Sequence, residues 1–143
     1  MTTDPAWAAG LFEGEGWLYI KATLPRDRRS TKFTLTVGMT NTDPLLLAPY
    51  GETWGGRIRP RKGTVLSRKP LLEWRVEARR AEAFLCAILP HIRGAKRSKI
   101  EAAVALSQRM RPEWRARMSD GRIRVLTEEE LTWRQTLRRQ TSA

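Results

Sequence analysis

Two carboxylates stand at the end of the first helix that the sequence predicts. Glu13 and Glu15 close the segment 4–16, in which Asp4 suits the N-cap and Pro5 the first helical position. The partial negative charge at a helix C-terminus disfavours carboxylates there by roughly a few tenths of a kcal/mol or more. Their placement against the helix dipole therefore favours a cation-binding site. A surface helix with two solvated glutamates is the alternative.

Two glycines lie inside the same helix, four residues apart and so on one face. Gly10 and Gly14 each cost a helix interior about 1 kcal/mol relative to alanine. Small residues at this spacing allow two helix backbones to approach closely, which offsets that cost. The spacing predicts that the helix packs against a copy of itself through Gly10, Gly14 and the flanking Trp7 and Leu11. The terminal carboxylates of the two copies then meet, and like charges that close require protons or a divalent metal.

Histidine and cysteine are too few in this chain to build a metal site. His91 is the only histidine and Cys86 the only cysteine, which excludes clusters of these residues and disulfides within a chain. Any metal must be held by oxygen ligands, which favours magnesium-like cations. Cys86 falls in an apolar helical pattern, and we expect it in the core.

The composition indicates a single domain, 1–143, with a polyanionic partner. The chain is 41% hydrophobic, enough for one core, and its 27 basic and 15 acidic residues give a formal net charge of +12. That charge points to nucleic acid before membrane, with a merely soluble basic protein as the alternative. The sequence has no apolar run of about 18 residues, and its N-terminus lacks the features of a signal peptide. We therefore expect a soluble, intracellular protein.

Helical and strand patterns alternate along the chain. The predicted elements are a helix at 4–16, strands at 17–24 and 32–40, a short helix from Pro44 to near Gly51, a second hairpin at 57–77, and helices at 80–92, around 100–106 and from 127 onward. Both strand pairs read as antiparallel hairpins. The fold class is therefore α+β with four antiparallel strands.

One face of these strands is rich in arginine, lysine, threonine and tyrosine. Such a face can enter the major groove of DNA as a β-ribbon does, with phosphate contacts giving affinity and base contacts giving specificity. The candidate contacts on the strands are Tyr19, Lys21, Thr23, Lys32, Thr34, Thr36, Arg57, Arg59, Arg61, Glu73, Arg75 and Glu77. Phosphate contacts are expected from the turn residues Arg26, Arg28 and Arg29. An ordinary solvated sheet face is the alternative.

The nine residues Ala8–Gly16, AAGLFEGEG, resemble the motif that gives the LAGLIDADG homing endonucleases their name. Both glycines of the close-packed face, both acidic positions and the closing glycine match. Alanine replaces leucine at the first position, and glutamate replaces aspartate at both acidic positions. The element order is also similar to the αββαββα core of this family over residues 4 to about 110, which leaves about 111–143 as a C-terminal helical extension. The resemblance implies a sheet that forms a DNA-binding saddle.

The resemblance also implies roles for residues near the end of the first helix. Family members with a single motif form homodimers, so Glu15 of each subunit is expected to bind the catalytic metal. The Gly14 carbonyl is a further expected ligand, with Glu13 as a supporting carboxylate. Asn41 and Lys96 match the family positions that lie near the attacking water. The expected cofactor is Mg2+ or Mn2+, and Ca2+ is expected to bind without supporting cleavage.

Two of these assignments have competitors within the sequence. Asn41 also suits the N-cap of the helix that follows it, a role compatible with the first. Lys96 competes with Arg93, Arg97 and Lys99, and an alignment to the family's proline and following lysine favours Lys96.

The residues and the resemblance together predict a homodimeric, metal-dependent homing endonuclease. It is expected to cleave both strands of duplex DNA at a long, nearly palindromic site. Two alternatives share the fold: a DNA-binding regulator without nuclease activity and a maturase that binds intron RNA. A plain basic structural domain is the remaining alternative.

Overall fold

The elements of the chain follow the order that the sequence predicts. The structure is a computed structural model that describes residues 3–23, 32–61, 70–115 and 128–142. Its elements are α1 (Pro5–Glu15), β1 (Gly16–Thr23), β2 (Lys32–Asn41), α2 (Pro44–Trp54), β3 (Arg57–Arg61), β4 (Leu71–Glu77), α3 (Ala78–Ile88), a 3-10 turn (Leu89–His91), α4 (Lys96–Arg115) and α5 (Glu128–Ser142).

Two Asp-Pro pairs start the first two helices. Asp4 Oδ1 accepts a hydrogen bond from the backbone N–H of Ala6 at 2.9 Å, and Asp43 Oδ1 accepts one from Leu45 at the same distance. Each aspartate satisfies one of the N–H groups that a helix start leaves without a partner, and the proline that follows has no N–H to satisfy. The N-cap of α2 is therefore Asp43.

The second helix is longer than predicted. α2 continues through Gly51 to Trp54 and stops before Gly55, whose φ of 76° is left-handed. The predicted end near Gly51 is wrong because a glycine inside a helix only weakens it, whereas a residue with positive φ terminates it.

The four strands form one antiparallel sheet in the order β1-β2-β4-β3. Each predicted hairpin forms, and the two hairpins join in the centre through β2 and β4. This central pairing runs from Thr36 opposite Glu77 to Asn41 opposite Leu72, and it leaves β1 and β3 at the two edges. The predicted fold class, α+β with four antiparallel strands, is confirmed.

An aromatic cluster fastens the helices to one face of the sheet. The rings of Tyr50, Trp74 and Phe84 are all buried, with centroids 5.0 to 5.7 Å apart. The Tyr50 hydroxyl donates to the carbonyl oxygen of Ala8 on α1 at 2.7 Å, and burial raises the pKa of Tyr50. Trp74 Nε1 donates to the carbonyl oxygen of Gly55 at 2.9 Å. Since each buried aromatic side chain removes about 150–250 Å² from water, this cluster holds α1 in a fixed place.

The C-terminal helices pack on the same core. Leu131, Trp133 and Leu137 of α5 contact the core, and Arg138 Nε donates to the carbonyl oxygen of Ile20 on β1 at 3.0 Å. α5 thereby covers part of the β1 edge. Among the described helices, none combines the length and the apolar character that crossing a membrane requires.

Cys86 is exposed, so the expectation that it lies in the core is wrong. The buried face of α3 includes Ala81, Phe84, Leu85 and Ile88, which recur at helical spacing. Cys86 falls between these positions and lies on the other side of the helix. An apolar window predicts the helix but does not place every apolar residue inside.

Candidate functional site

Glu15 is an exposed carboxylate at a junction that has no loop. It is the last residue of α1, and Gly16 is already the first residue of β1. A Cβ at Gly16 would lie 2.1 Å from the ring of Phe12, so the chain can pass from helix to strand here only with glycine. Within the described residues the Glu15 carboxylate has no hydrogen-bonding or ion-pair partner. It is presented to solvent from a rigid corner of the fold.

Lys96, the first residue of α4, caps the C-terminus of α1. Its Nζ donates to the carbonyl oxygens of Phe12, Glu13 and Gly16 at 3.1, 2.8 and 2.6 Å. Three bonds use all three N–H donors of an ammonium group, and they satisfy carbonyls that a helix end leaves without partners. Burial lowers the pKa of Lys96 and the charge of Lys99 lowers it further, while the carboxylates nearby raise it.

Of the cations that compete with Lys96 in the sequence, Arg97 makes its side-chain contacts away from α1. Arg97 Nη1 donates to the carbonyl oxygens of Leu89 and Ile92, and Arg97 Nε pairs with Glu101 at 3.0 Å. Among Arg93, Lys96, Arg97 and Lys99, Lys96 is the one whose side chain bonds to α1 within the described residues.

Glu13 ties the same helix end to the segment that carries Lys96. Glu13 Oε1 accepts hydrogen bonds from the backbone N–H groups of Arg93 and Gly94. These bonds, together with the charges of Lys96 and Arg93, lower the pKa of Glu13 despite some desolvation. The two glutamates of the motif thus differ: Glu13 is engaged within the chain, and Glu15 is open to a ligand.

Asn41 lies at the same end of the sheet as Glu15. Gly16 is paired with Met39, so Asn41 extends two residues beyond the start of β1. Its Oδ1 accepts from the backbone N–H of Asp43 at 2.9 Å, which supports the turn before α2. The N-cap itself is Asp43, so the alternative role predicted for Asn41 as the N-cap is wrong by two residues.

The donors at this corner fit a magnesium-like ion only in part. Glu15 and the backbone carbonyls nearby are hard oxygen ligands, of the kind that Mg2+ prefers. The described residues contain no group of three or more histidine, cysteine or acidic side chains placed to hold a metal. Within these residues the corner supplies only part of a coordination sphere, and Mg2+ usually keeps several waters as its other ligands.

The predicted dimer face of α1 is open. A Cβ built at Gly10 or Gly14 meets no atom within 4 Å, and the side chain of Trp7 is 41% exposed. Leu11 beside them is half-buried. The opposite face of α1 is fully buried, with Ala8, Ala9 and Phe12 in the core.

The strand register brings the predicted DNA contacts onto one face of the sheet. Residues paired across neighbouring antiparallel strands point to the same side. The rows that cross the sheet are Thr23–Lys32, Lys21–Thr34, Tyr19–Thr36–Glu77, Trp17–Gly38–Arg75–Arg57 and Thr40–Glu73–Arg59, with Arg61 continuing the alternation on β3. This face lies opposite the core.

Thr36 differs from the other residues that were predicted to contact DNA. Thr36 is on the predicted face but is fully buried, and its Oγ1 has no hydrogen-bond partner within the described residues. A direct DNA contact by Thr36 is therefore wrong for this conformation, because its neighbours Tyr19 and Glu77 flank it on both sides. Arg26, Arg28 and Arg29 lie outside the described residues.

Arg75 is the centre of a side-chain network on this face. Its Nη2 donates to the Tyr19 hydroxyl at 3.1 Å and to Glu77 Oε1 at 2.8 Å. An open cleft of about 710 Å³ lies beside it. The arginines that line this cleft are Arg57, Arg59, Arg75, Arg79 and Arg80.

Trp17 belongs to the same network, although sequence reasoning did not name it as a site residue. Its ring stacks on Tyr19, with centroids 5.6 Å apart and planes 20° apart. It also lies over Gly38, where a Cβ would meet the indole at 2.5 Å. The signal was present in the sequence, since Trp17 alternates in phase with Tyr19 and Lys21.

The solved structures that this chain resembles include several homing endonucleases. I-TnaI matches with a TM-score of 0.71 and 16% identity, over 100% of this chain and 90% of that one. The LAGLIDADG enzyme I-LtrWI, bound to target DNA, matches with a TM-score of 0.72 and 19% identity, over 96% of this chain and 44% of that one. I-CvuI, in complex with its target, matches with a TM-score of 0.64 and 16% identity, over 93% of both chains. No protein-family profile matches the chain, and no curated protein is similar to it in sequence.

Identities this low show the fold alone. The chain has the fold of the LAGLIDADG homing endonucleases, which confirms the fold that the nine-residue motif implied. It spans nearly all of I-TnaI and I-CvuI but less than half of I-LtrWI.

Proposed function

We propose that this chain is one half of a metal-dependent, site-specific DNA endonuclease and that it acts as a homodimer. The observation that carries the proposal is the build of α1, which joins an open glycine face to an exposed terminal carboxylate. Glu15 is fixed at a corner that Lys96 caps and Glu13 braces. A carboxylate that projects from a fixed backbone and is open to solvent suits a cation, because the position of the residue is set before the ligand arrives.

The incomplete donor set at Glu15 supports a dimer. If two copies pack through Gly10 and Gly14, their Glu15 carboxylates meet and require divalent cations between them. The lengths of the similar proteins agree with this arrangement. The same fold occupies less than half of the I-LtrWI chain, which leaves room in that chain for a second copy.

The reaction requires a nucleophilic water, charge neutralisation at phosphorus and stabilisation of the leaving oxygen. Mg2+ or Mn2+ held by Glu15 and the Gly14 carbonyl of each protomer would supply Lewis acidity and activate water. The Asn41 amide would orient that water. Lys96 would hold the α1 end in place and add positive charge beside the phosphate, and direct contact would require it to exchange a carbonyl bond for the phosphate.

The charged sheet face would bind duplex DNA. The net charge of +12 favours a polyanion, and the arginines of β3 are exposed on an edge strand. Two similar proteins, I-LtrWI and I-CvuI, were solved with their DNA targets. A two-fold dimer would read two half-sites, so the target should be nearly palindromic.

Selection of cleaved sites from a random duplex library in Mg2+ tests activity, target and symmetry together. We expect wild type to enrich a nearly palindromic set. Glu15→Gln should retain DNA binding in Ca2+ and lose cleavage in Mg2+, and Glu52→Gln, an exposed change on α2, should match wild type in both. Absence of any cleaved duplex would overturn the nuclease proposal, and an asymmetric set would overturn the symmetric dimer.

A DNA-binding regulator of the same fold is the second candidate. One observation favours it: all three N–H donors of the Lys96 ammonium bind backbone carbonyls, and none remains for water or phosphate. Supercoiled plasmid that carries the selected site separates the two functions. Nicking or linearisation in Mg2+ supports the nuclease, and tight binding with intact plasmid supports the regulator.

A further inference from the structure

We propose that Arg75 selects a guanine in each half of the DNA site, and that Tyr19 and Glu77 position its guanidinium group. This inference rests on the proposed function and deepens it, because it separates the residue that reads a base from two residues that were expected to contact DNA themselves.

The guanidinium of Arg75 is held on one side and open on the other. Tyr19 and Glu77 both bind Nη2, which has two hydrogens. An arginine has five N–H donors, so the three on Nε and Nη1 remain, and they have no acceptor within the described residues. The side chain is 40% exposed, which lets a ligand reach those donors.

The bond between Arg75 and Tyr19 crosses a strand. Arg75 is on β4 and Tyr19 on β1, with β2 between them. Arg75 is paired with Gly38, and Tyr19 is paired with Thr36, so the bond passes over β2 between those two residues. The burial of Thr36 follows from this bridge.

The Tyr19 ring is itself supported. Trp17 stacks against it and rests on Gly38, whose lack of a Cβ makes room for the indole. Two aromatic rings and a carboxylate thus fix an arginine that would otherwise sample many rotamers. Ordering Arg75 before DNA binds removes an entropy cost from recognition, and it also fixes the direction of the free donors.

A base is a better ligand than a phosphate for this arginine. Glu77 Oε1 lies 2.8 Å from Nη2, and its negative charge repels a phosphate. Arg75 is also on an inner strand, in the middle of the face, whereas the exposed arginines of β3 stand at the edge, and the described residues offer them no such partners. Guanine offers two acceptors, O6 and N7, in the major groove, and the flat fork of arginine matches them.

Binding-site selection from a random duplex library in Ca2+ tests the proposal with the full-length protein. Arg75→Lys keeps the charge and loses the planar fork, and Tyr19→Phe keeps the ring and loses only the hydroxyl. Glu52→Gln on α2 is the control. Circular dichroism of each variant establishes that it is folded.

We expect wild type to require guanine at one position per half-site. Arg75→Lys should reduce that preference by roughly tenfold and leave the other positions unchanged. Tyr19→Phe should reduce it at the same position by a smaller factor, because a looser arginine still carries its donors. Glu52→Gln should keep the wild-type pattern.

Four outcomes overturn the proposal. If Arg75→Lys keeps every base preference, Arg75 does not read a base, and if it weakens binding uniformly at all positions, Arg75 contacts phosphate. If Tyr19→Phe leaves the guanine preference at the wild-type level, Tyr19 does not position Arg75. If wild type itself enriches no duplex, the proposed function fails and this inference fails with it. The other outcomes leave DNA binding by wild type intact and overturn only the role of Arg75 or Tyr19.

Discussion

The ammonium nitrogen of Lys96 lies 2.6 Å from the carbonyl oxygen of Gly16, eighty residues earlier in the chain. This bond joins the first turn of α4 to the junction of α1 and β1, which is where Glu15 is exposed. A cation fixed at the negative end of a helix dipole also offsets the carboxylates placed there. The helix end that looks unfavourable in the sequence is stabilised from a distant segment.

Loss of this cap should destabilise the protein. Lys96→Met keeps much of the side-chain volume and leaves three partly buried carbonyls without a donor. We expect the free energy of unfolding to fall by about 1–3 kcal/mol, measured by urea denaturation. Lys99→Met on the same helix is the matched control, because Lys99 makes no hydrogen bond within the described residues. Equal losses in the two variants would show that the cap contributes nothing.

The brace at Glu13 should make stability depend on pH in the acid range. Its pKa in the folded chain is lowered from the usual 4.5, chiefly by the N–H groups of Arg93 and Gly94. The folded state therefore favours the ionised form, and its contribution to stability is complete above pH 4.5 and disappears as the pH falls through the lowered value. In unfolding curves at several pH values, the difference between wild type and Glu13→Gln should shrink below pH 4.5. A constant difference across that range would contradict this role.

A substitution on the glycine face of α1 should have opposite effects on folding of the single chain and on dimer formation. Gly10→Ala should help the isolated chain, since a Cβ there meets no atom and alanine favours a helix by about 1 kcal/mol. If a second copy packs on this face, the added methyl groups collide across the interface, and the dimer dissociation constant should rise by about tenfold. Sedimentation equilibrium measures that constant. Gly51→Ala is the control, because its Cβ meets only Ile58 at 3.8 Å. An unchanged constant for Gly10→Ala would remove this face from the interface.

Gly38 should tolerate no side chain. A Cβ there would lie 2.5 Å from the Trp17 indole and 2.6 Å from the carbonyl oxygen of Trp74. The ring can move but the backbone cannot, so we expect Gly38→Ala to lower stability by about 1–3 kcal/mol in thermal or urea unfolding. Adding Trp17→Val to this variant should recover only the part of the lost stability that comes from the clash with the indole ring. Full recovery would mean that the strand backbone shifts to accept the methyl group.

Local patterns in the sequence predict the individual helices and strands, whereas their arrangement depends on contacts between residues that are distant in the sequence. The Asp-Pro pairs and the alternation of strands 17–24 and 32–40 are local, and the structure contains the corresponding helix starts and hairpin. The central pairing of β2 with β4 joins residues that lie from 31 (Asn41 with Leu72) to 41 (Thr36 with Glu77) positions apart, and the periodicity of one strand does not indicate which strand it pairs with. The strand order was therefore not predicted.

The candidate site divides in the same way. Alternation placed Tyr19, Arg75 and Glu77 on one face, and the register agrees. The alternation does not indicate that Arg75 bonds to Tyr19 across a strand. It therefore does not indicate that Thr36 is buried beneath that bond. Likewise the sequence made Lys96 a candidate through resemblance, but its three carbonyl partners depend on where the fold brings α4. The roles of Glu15 and Asn41 in metal-dependent cleavage remain predictions.

The two edges of the sheet are protected in different ways. On the β1 side, Arg138 of α5 occupies a carbonyl of the strand. The β3 side is fully exposed, but Pro60 offers no N–H to a further strand, and the arginines on either side of it repel a second copy. Substitutions that neutralise Arg59 and Arg61 to alter DNA recognition would therefore also weaken the barrier to edge-to-edge aggregation and leave Pro60 as the remaining protection.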